Sequence, residues 1–178
     1  MQQLNVFFLA SYELTLSFVS CMITIYLSSK FMNKYVLSKP IEWFIREKHE
    51  AGCLISGTLV FSVLYLVQGS IKHSTSALQS LLLSHGKFSL SIFAVAFSHF
   101  IVFYGITFIT AFGSIFVVTK IYRRMMAPID FDQEVEIKKS FAVSIFLTFI
   151  VLSVVVYLAP ALDNFLGSLV LHQMLENL

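Results

Sequence analysis

Apolar residues along this chain collect into four long runs, and charged residues gather between them. The first run, Val6 to Leu27, is interrupted by one acid, Glu13. At about 1.5 Å per residue it is long enough, as a helix, to cross a hydrocarbon core of about 30 Å. The others are Ala51 to Val67, Phe88 to Val118, and Ser140 to Leu158, which ends near Pro160. The third would be about 46 Å as a straight helix, so it is expected to tilt or to project from one face. No basic segment precedes Val6 and no small-x-small cleavage site follows a short apolar stretch, so the first run reads as a retained span.

The polar segments carry their own patterns. In Lys30 to His49, Ser38 is placed to cap a short helix with Pro40 in its first turn. Ile41, Phe44 and Ile45 then form one apolar stripe, with Trp43 beside it at headgroup level. In Lys120 to Lys139, Asp130 and Gln133 form an Asx version of the capping box, and Asp132, Glu134 and Glu136 fall in the first turns, where the helix dipole favours anions. Gln68 to Lys87 reads as a polar connection with Gly69 and Gly86 as breakers, and Asp163 to Leu178 as an amphipathic surface tail. The expected fold is an all-α integral membrane protein: four transmembrane helices in two span–amphipathic linker–span repeats. Its expected divisions are a first repeat over 1–71, an outer connection over 72–87, a second repeat over 88–162 and a tail over 163–178.

Composition supports the membrane reading. Of 178 residues, 57% are hydrophobic and 12% charged, against roughly 25% charged in soluble domains. A water-soluble fold of this size could not bury so much apolar surface. The net charge of +2 is too small to argue for nucleic acid, but its placement is informative. Five of the 12 Lys and Arg lie in each linker, and only Lys72 and Lys87 lie elsewhere. The positive-inside bias therefore predicts cytoplasmic linkers, with both termini and the Gln68–Lys87 connection outside, as in a multi-pass protein of the cell inner membrane. Lys30, Lys34, Lys39, Arg123 and Arg124 are placed to meet anionic lipid headgroups.

The two halves align with an offset of 91. Lys48 then meets Lys139, Ala51 meets Ala142, Val60 meets Val151, and Ser62-Val63 meets Ser153-Val154, five identities over the twenty positions Lys48 to Val67. A few would arise by chance in so apolar an alphabet, and the shared order of span, basic cluster, acidic helix and span is the better sign. Two spans per unit make the repeat parallel, about an axis near the membrane normal. The stretches Ile45-Arg46-Glu47-Lys48-His49-Glu50-Ala51 and Glu136-Ile137-Lys138-Lys139-Ser140-Phe141-Ala142, each leading into a span, resemble the domain of unknown function 350 family, the YjfL-like inner-membrane proteins. In that family an acidic residue precedes an asparagine, with an alanine two places later; both alanines match, while His49 and Ser140 stand at the asparagine. The resemblance covers roughly Val6 to Asp163 and implies a multi-span bacterial inner-membrane protein, with no catalytic residue to transfer.

Glu13 is the most informative candidate. A carboxylate inside a span costs about 2.5–3.5 kcal/mol on insertion scales, so it faces protein or a wet cavity, snorkels to the surface, or is protonated. His99 enters the third run from the same side, and a Glu13–His99 pair would serve as a proton relay or ion site. Alternatively, His99 bonds a neighbouring helix. Ser91, Ala94, Ser98 and Gly105 share one face of the third run, and Gly52 and Ser56 form a small-xxx-small pair in the second. Such faces let helices approach closely, within one chain or between copies. Asp130, Asp132, Glu134 and Glu136 suit a solvated cap or partner contact better than a metal site, because helix spacing spreads them over more than one face. Cys21 and Cys53 have no partner at metal-ligand spacing. No nucleophile stands beside a base and no glycine-rich phosphate loop is present, so neither enzyme chemistry nor a cofactor is expected. The sequence supports an oligomeric channel- or transport-like component. The alternative is a scaffold that docks a membrane or cytoplasmic protein through its linkers.

Overall fold

The computed structural model describes residues 2–37, 39–85, 89–125 and 133–176, with side chains described between 7 and 170 in those ranges except 84, 85, 136 and 137. Five α-helices follow in order: α1 (Gln2–Tyr35), α2 (Ile41–Arg46), α3 (Glu50–His85), α4 (Leu90–Met125) and α5 (Phe141–Glu176), with a π-helical turn at Gln133–Ile137 between the last two. No strand occurs among the described residues. Four helices are long and apolar enough to cross a membrane, and the chain is a multi-pass membrane protein. Their outward faces carry large apolar side chains such as Phe18, Ile109, Phe149 and Tyr157, which lipid rather than water would solvate.

α3 is the hub, packed on α1, α4 and α5. Its core, Ile55, Leu59, Val63, Leu66 and Val67, meets Ala111, Phe112 and Ile115 of α4 and Leu147, Val151 and Val155 of α5. Buried and part-buried hydroxyls tie the helices together: Tyr12 to Ser74 at 3.1 Å, Thr24 to Tyr104 at 2.8 Å, and Thr58 to Thr148 at 3.2 Å. Interhelical bonds of this kind average about 0.6 kcal/mol in membrane proteins. Many other Ser and Thr hydroxyls donate to their own helix three or four residues back, as Thr107 and Thr119 do, because no water competes for them. Thr148, by contrast, reaches across to another helix.

Two helices outrun the apolar windows that mark them. The second span does not stop at Val67: α3 runs on to His85, through Gly69 and most of the expected 72–87 connection. Ser70, Ile71, Ser74, Ala77 and Leu78 keep one face buried, and Ile71 and Leu78 pack with Tyr12, Leu16, Ala96 and Phe100. α5 likewise continues past Pro160 and absorbs the described part of the 163–178 tail. Pro160 removes the helical donor to the Val156 carbonyl, yet packing of Leu162, Leu166 and Val170 carries the helix on.

The repeat is visible in the backbone. α3 and α5 are each 36 residues, and their first and last residues are both 91 apart. Lys48 and Lys139, also 91 apart, are the two non-glycine residues with positive φ among the described residues, at 50° and 51°. Each precedes the N-cap of its long helix. The N-cap residues are His49 and Ser140, whose carbonyls accept from Cys53 and Ser144. His49 is fully buried, and its Nδ1 accepts the Gly52 N–H at 3.0 Å, an N-cap bond made by imidazole instead of a carboxylate or hydroxyl.

The first linker folds over this cap. The Asn33 carbonyl oxygen accepts the Ile41 N–H at 2.9 Å and its amide donates to Glu42, so the last turn of α1 starts α2; Ser38 lies outside the described residues. Phe44 is buried, whereas Ile45, on the expected stripe, is 64% exposed. Of the expected acidic α-helix in the second linker, the described part, Gln133–Ile137, is a short π-turn. Glu134 pairs with Lys138 at 2.6 Å, while Asp130, Asp132 and the Glu136 side chain lie outside what is described. Arg123 donates to the Val36 carbonyl at 2.9 Å, so both linkers sit at one end of the bundle.

Candidate functional site

Three helices bring charge to one level. Glu13 precedes the end of α1 by the same 22 residues by which Lys72 follows the start of α3 and Asp163 that of α5. On straight helices each would stand about 33 Å from the linker end, near the far edge of a hydrocarbon core of about 30 Å. There they line an open crevice of about 710 Å³ between α1 and α5, floored by α3, together with Ser17, Gln68 and Pro160.

Asp163 is the centre of the polar cluster. Its Oδ1 lies 2.8 Å from His73 Nε2 and its Oδ2 3.4 Å from Lys72 Nζ. The His73 side chain is 13% exposed and that of Lys72 71%, so the carboxylate joins a sheltered imidazole to a wet ammonium. Small neighbours leave room: a Cβ on Gly69 would come to 3.7 Å from Asp163 Oδ1, and one on Gly167 to 3.5 Å from His73 Cε1. The arrangement can bind a small ion, or pass a proton between Asp163 and His73, with Glu13 as a second carboxylate on the opposite wall.

His99 is not part of it. No hydrogen bond or ion pair joins Glu13 to His99; His99 stacks on Phe103 at 6.1 Å between centroids, and its Nδ1 is buried without a partner. Contacts between α1 and α4 run 80–81 residues apart, Tyr12 on Phe93, Thr24 to Tyr104 and Phe31 on Phe112. Glu13 is thus level with Ala94, and His99 stands about five residues, roughly 7.5 Å, nearer the linker end. The small-residue faces lie away from the crevice as well. Ser91, Ala94 and Ser98 are exposed, and Gly105 has open space beside it. Gly52 faces the Phe44 ring of α2, and Ser56 donates to the Gly52 carbonyl at 2.8 Å. Lys30, Lys34, Lys39 and Arg124 are exposed at the linker end. Among the described residues no three His, Cys, Asp or Glu side chains group as a metal site.

Sequence reasoning placed Lys72 and His73 in a solvent loop and Asp163 in a surface tail. The signal that finds them is the repeat itself, since the offset of 91 carries Lys72 onto Asp163. No family model matches this chain, and no match to it was found among the curated proteins or the solved structures.

Proposed function

We propose that the chain is a channel- or transport-like component of the cell inner membrane, working as a homo-oligomer and without covalent chemistry, and that its likeness to the domain of unknown function 350 proteins reflects kinship. The carrying observation is the convergence of Glu13, Lys72 and Asp163 on one crevice, with His73 bonded to Asp163 behind it, in a bundle otherwise almost free of charge. Ionisable groups gathered at the mouth of a membrane bundle are placed to capture an ion or proton entering from that side. The shared position of both linkers and their ten basic residues supports cytoplasmic linkers, with both termini and the crevice on the other side.

The test is proton and cation flux in proteoliposomes. Asp163→Asn and Glu13→Gln each lower flux at least tenfold, while Glu47→Gln, in the exposed linker, leaves it unchanged. Equal flux in all four proteins, or none in the parent, overturns the reading.

A further inference from the structure

The contact between the two repeats is not self-complementary. α3 offers Thr58, Gly69 and His73 to α5, which answers with Thr148, Asp163 and Gly167. The first-repeat counterparts of those three α5 residues are Gly57, Lys72 and Ser76, a different face of the helix. At about 100° per residue the two faces are turned by roughly 60–100° from each other. A heterologous contact of this kind does not terminate itself; repeated, it builds a ring or a filament.

The surface awaiting the next step is open. In the second repeat the groove between α4 and α5 presents Ala111, Phe112, Ile115, Val155 and Leu162, and α3 fills it. The same positions in the first repeat are Ser20, Cys21, Thr24, Leu64 and Ile71. They line an unfilled hollow of about 360 Å³ between α1 and α3, continuous with the polar crevice through Ser17 and Gln68. The correspondence holds through α1: buried Tyr12, Leu16, Ser20, Thr24 and Ser28 match Phe103, Thr107, Ala111, Ile115 and Thr119, all buried. The opposite half of the contact is also bare. Ile55, Leu66 and Ser74 of α3 are buried, but their α5 counterparts Phe146, Tyr157 and Phe165 are 54%, 89% and 51% exposed.

We propose that α5 of a second copy seats in the α1–α3 groove, continuing between chains the contact that joins the repeats within one. Carrying Thr58–Thr148 across gives Phe149 of the second copy over Gly57; carrying His73–Asp163 gives its Asn164 beside Lys72. Phe149 is 64% exposed, and nothing lies within 4 Å of where a Gly57 Cβ would be. The polar crevice is then roofed by the neighbour, and Asn164 completes it. This rests on the oligomeric part of the function proposed above but is tested apart from it, because crosslinking reads the interface whether or not flux is seen.

The experiment pairs two differently tagged chains co-expressed in membranes, both carrying Cys21→Ser and Cys53→Ser, one with Gly57→Cys and the other with Phe149→Cys. Mild oxidation gives a reducible intermolecular disulfide, at a yield comparable with the intrachain bond of a Thr58→Cys/Thr148→Cys control. Lys72→Cys with Asn164→Cys behaves likewise. An intrachain bond without the intermolecular ones means that lipid alone covers the groove, and overturns the proposal. Bonding of Gly57→Cys to itself, or failure of the intrachain control, overturns it too, by showing a self-complementary contact or a different packing of the repeats.

Discussion

Gly52 sits where α2 folds onto α3, and an alanine there separates packing from helix propensity. A Cβ at this position would lie 2.6 Å from Phe44 Cγ, 2.5 Å from Cε1 and nearer still to Cδ1. Real carbon contacts sit at about 3.5–4.0 Å, so the ring must move by an ångström or more. Phe44 is 2% exposed, between Trp43 at 5.3 Å and His49 at 5.4 Å centroid to centroid, so it has little room to do so. Propensity favours Gly52→Ala by up to about 1 kcal/mol, whereas overpacking a closed site costs about 1–3 kcal/mol and expelling a buried Phe about 3–5 kcal/mol. The clash wins, by roughly 2 kcal/mol net, and the strain falls on α2 because six residues hold less tightly than thirty-six. Hydrogen exchange in nanodiscs should show the amides of α2 exchanging about 30-fold faster, at 1.4 kcal/mol per tenfold. Phe44→Leu combined with Gly52→Ala should recover most of the loss, a non-additivity that marks direct contact. Unchanged or slower exchange in Gly52→Ala would refute the reasoning.

Two further expectations concern the starts of the long helices. His49→Ala removes the imidazole acceptor for the Gly52 N–H and should lower stability by about 0.5–2 kcal/mol, while His49→Asn, a strong N-cap, should lose much less; thermal melting in detergent distinguishes them. Lys48→Gly and Lys139→Gly relieve a left-handed backbone that costs a β-carbon-bearing residue about 1–2 kcal/mol, less the entropy glycine loses on folding. Each should raise the melting temperature slightly and to a similar degree, and a drop in either would contradict the backbone assignment.

The linear pattern of side chains determined the class of this protein. Four apolar runs leave no option but lipid, and the offset of 91 is written in residues as plain as Lys48 and Lys139. It also singled out Glu13, because a lone carboxylate in a span is conspicuous whatever surrounds it. Tertiary contact decided where the helices end. Ser70, Ser74 and Ala77 look like loop residues to a hydropathy window, but they are small, and smallness is what a buried helix–helix seam requires. Tertiary contact also chose the partner of that carboxylate's crevice, since which of several polar groups meet depends on helix rotation and on level. Five residues along α4 carry His99 away from the level of Glu13, while the repeat that sets Lys72 and Asp163 at one height lets α3 and α5 bring them together. Hydrophobicity along the chain fixes what crosses the bilayer; rotation about each helix axis, set by side-chain packing between chain segments far apart in sequence, fixes what faces what.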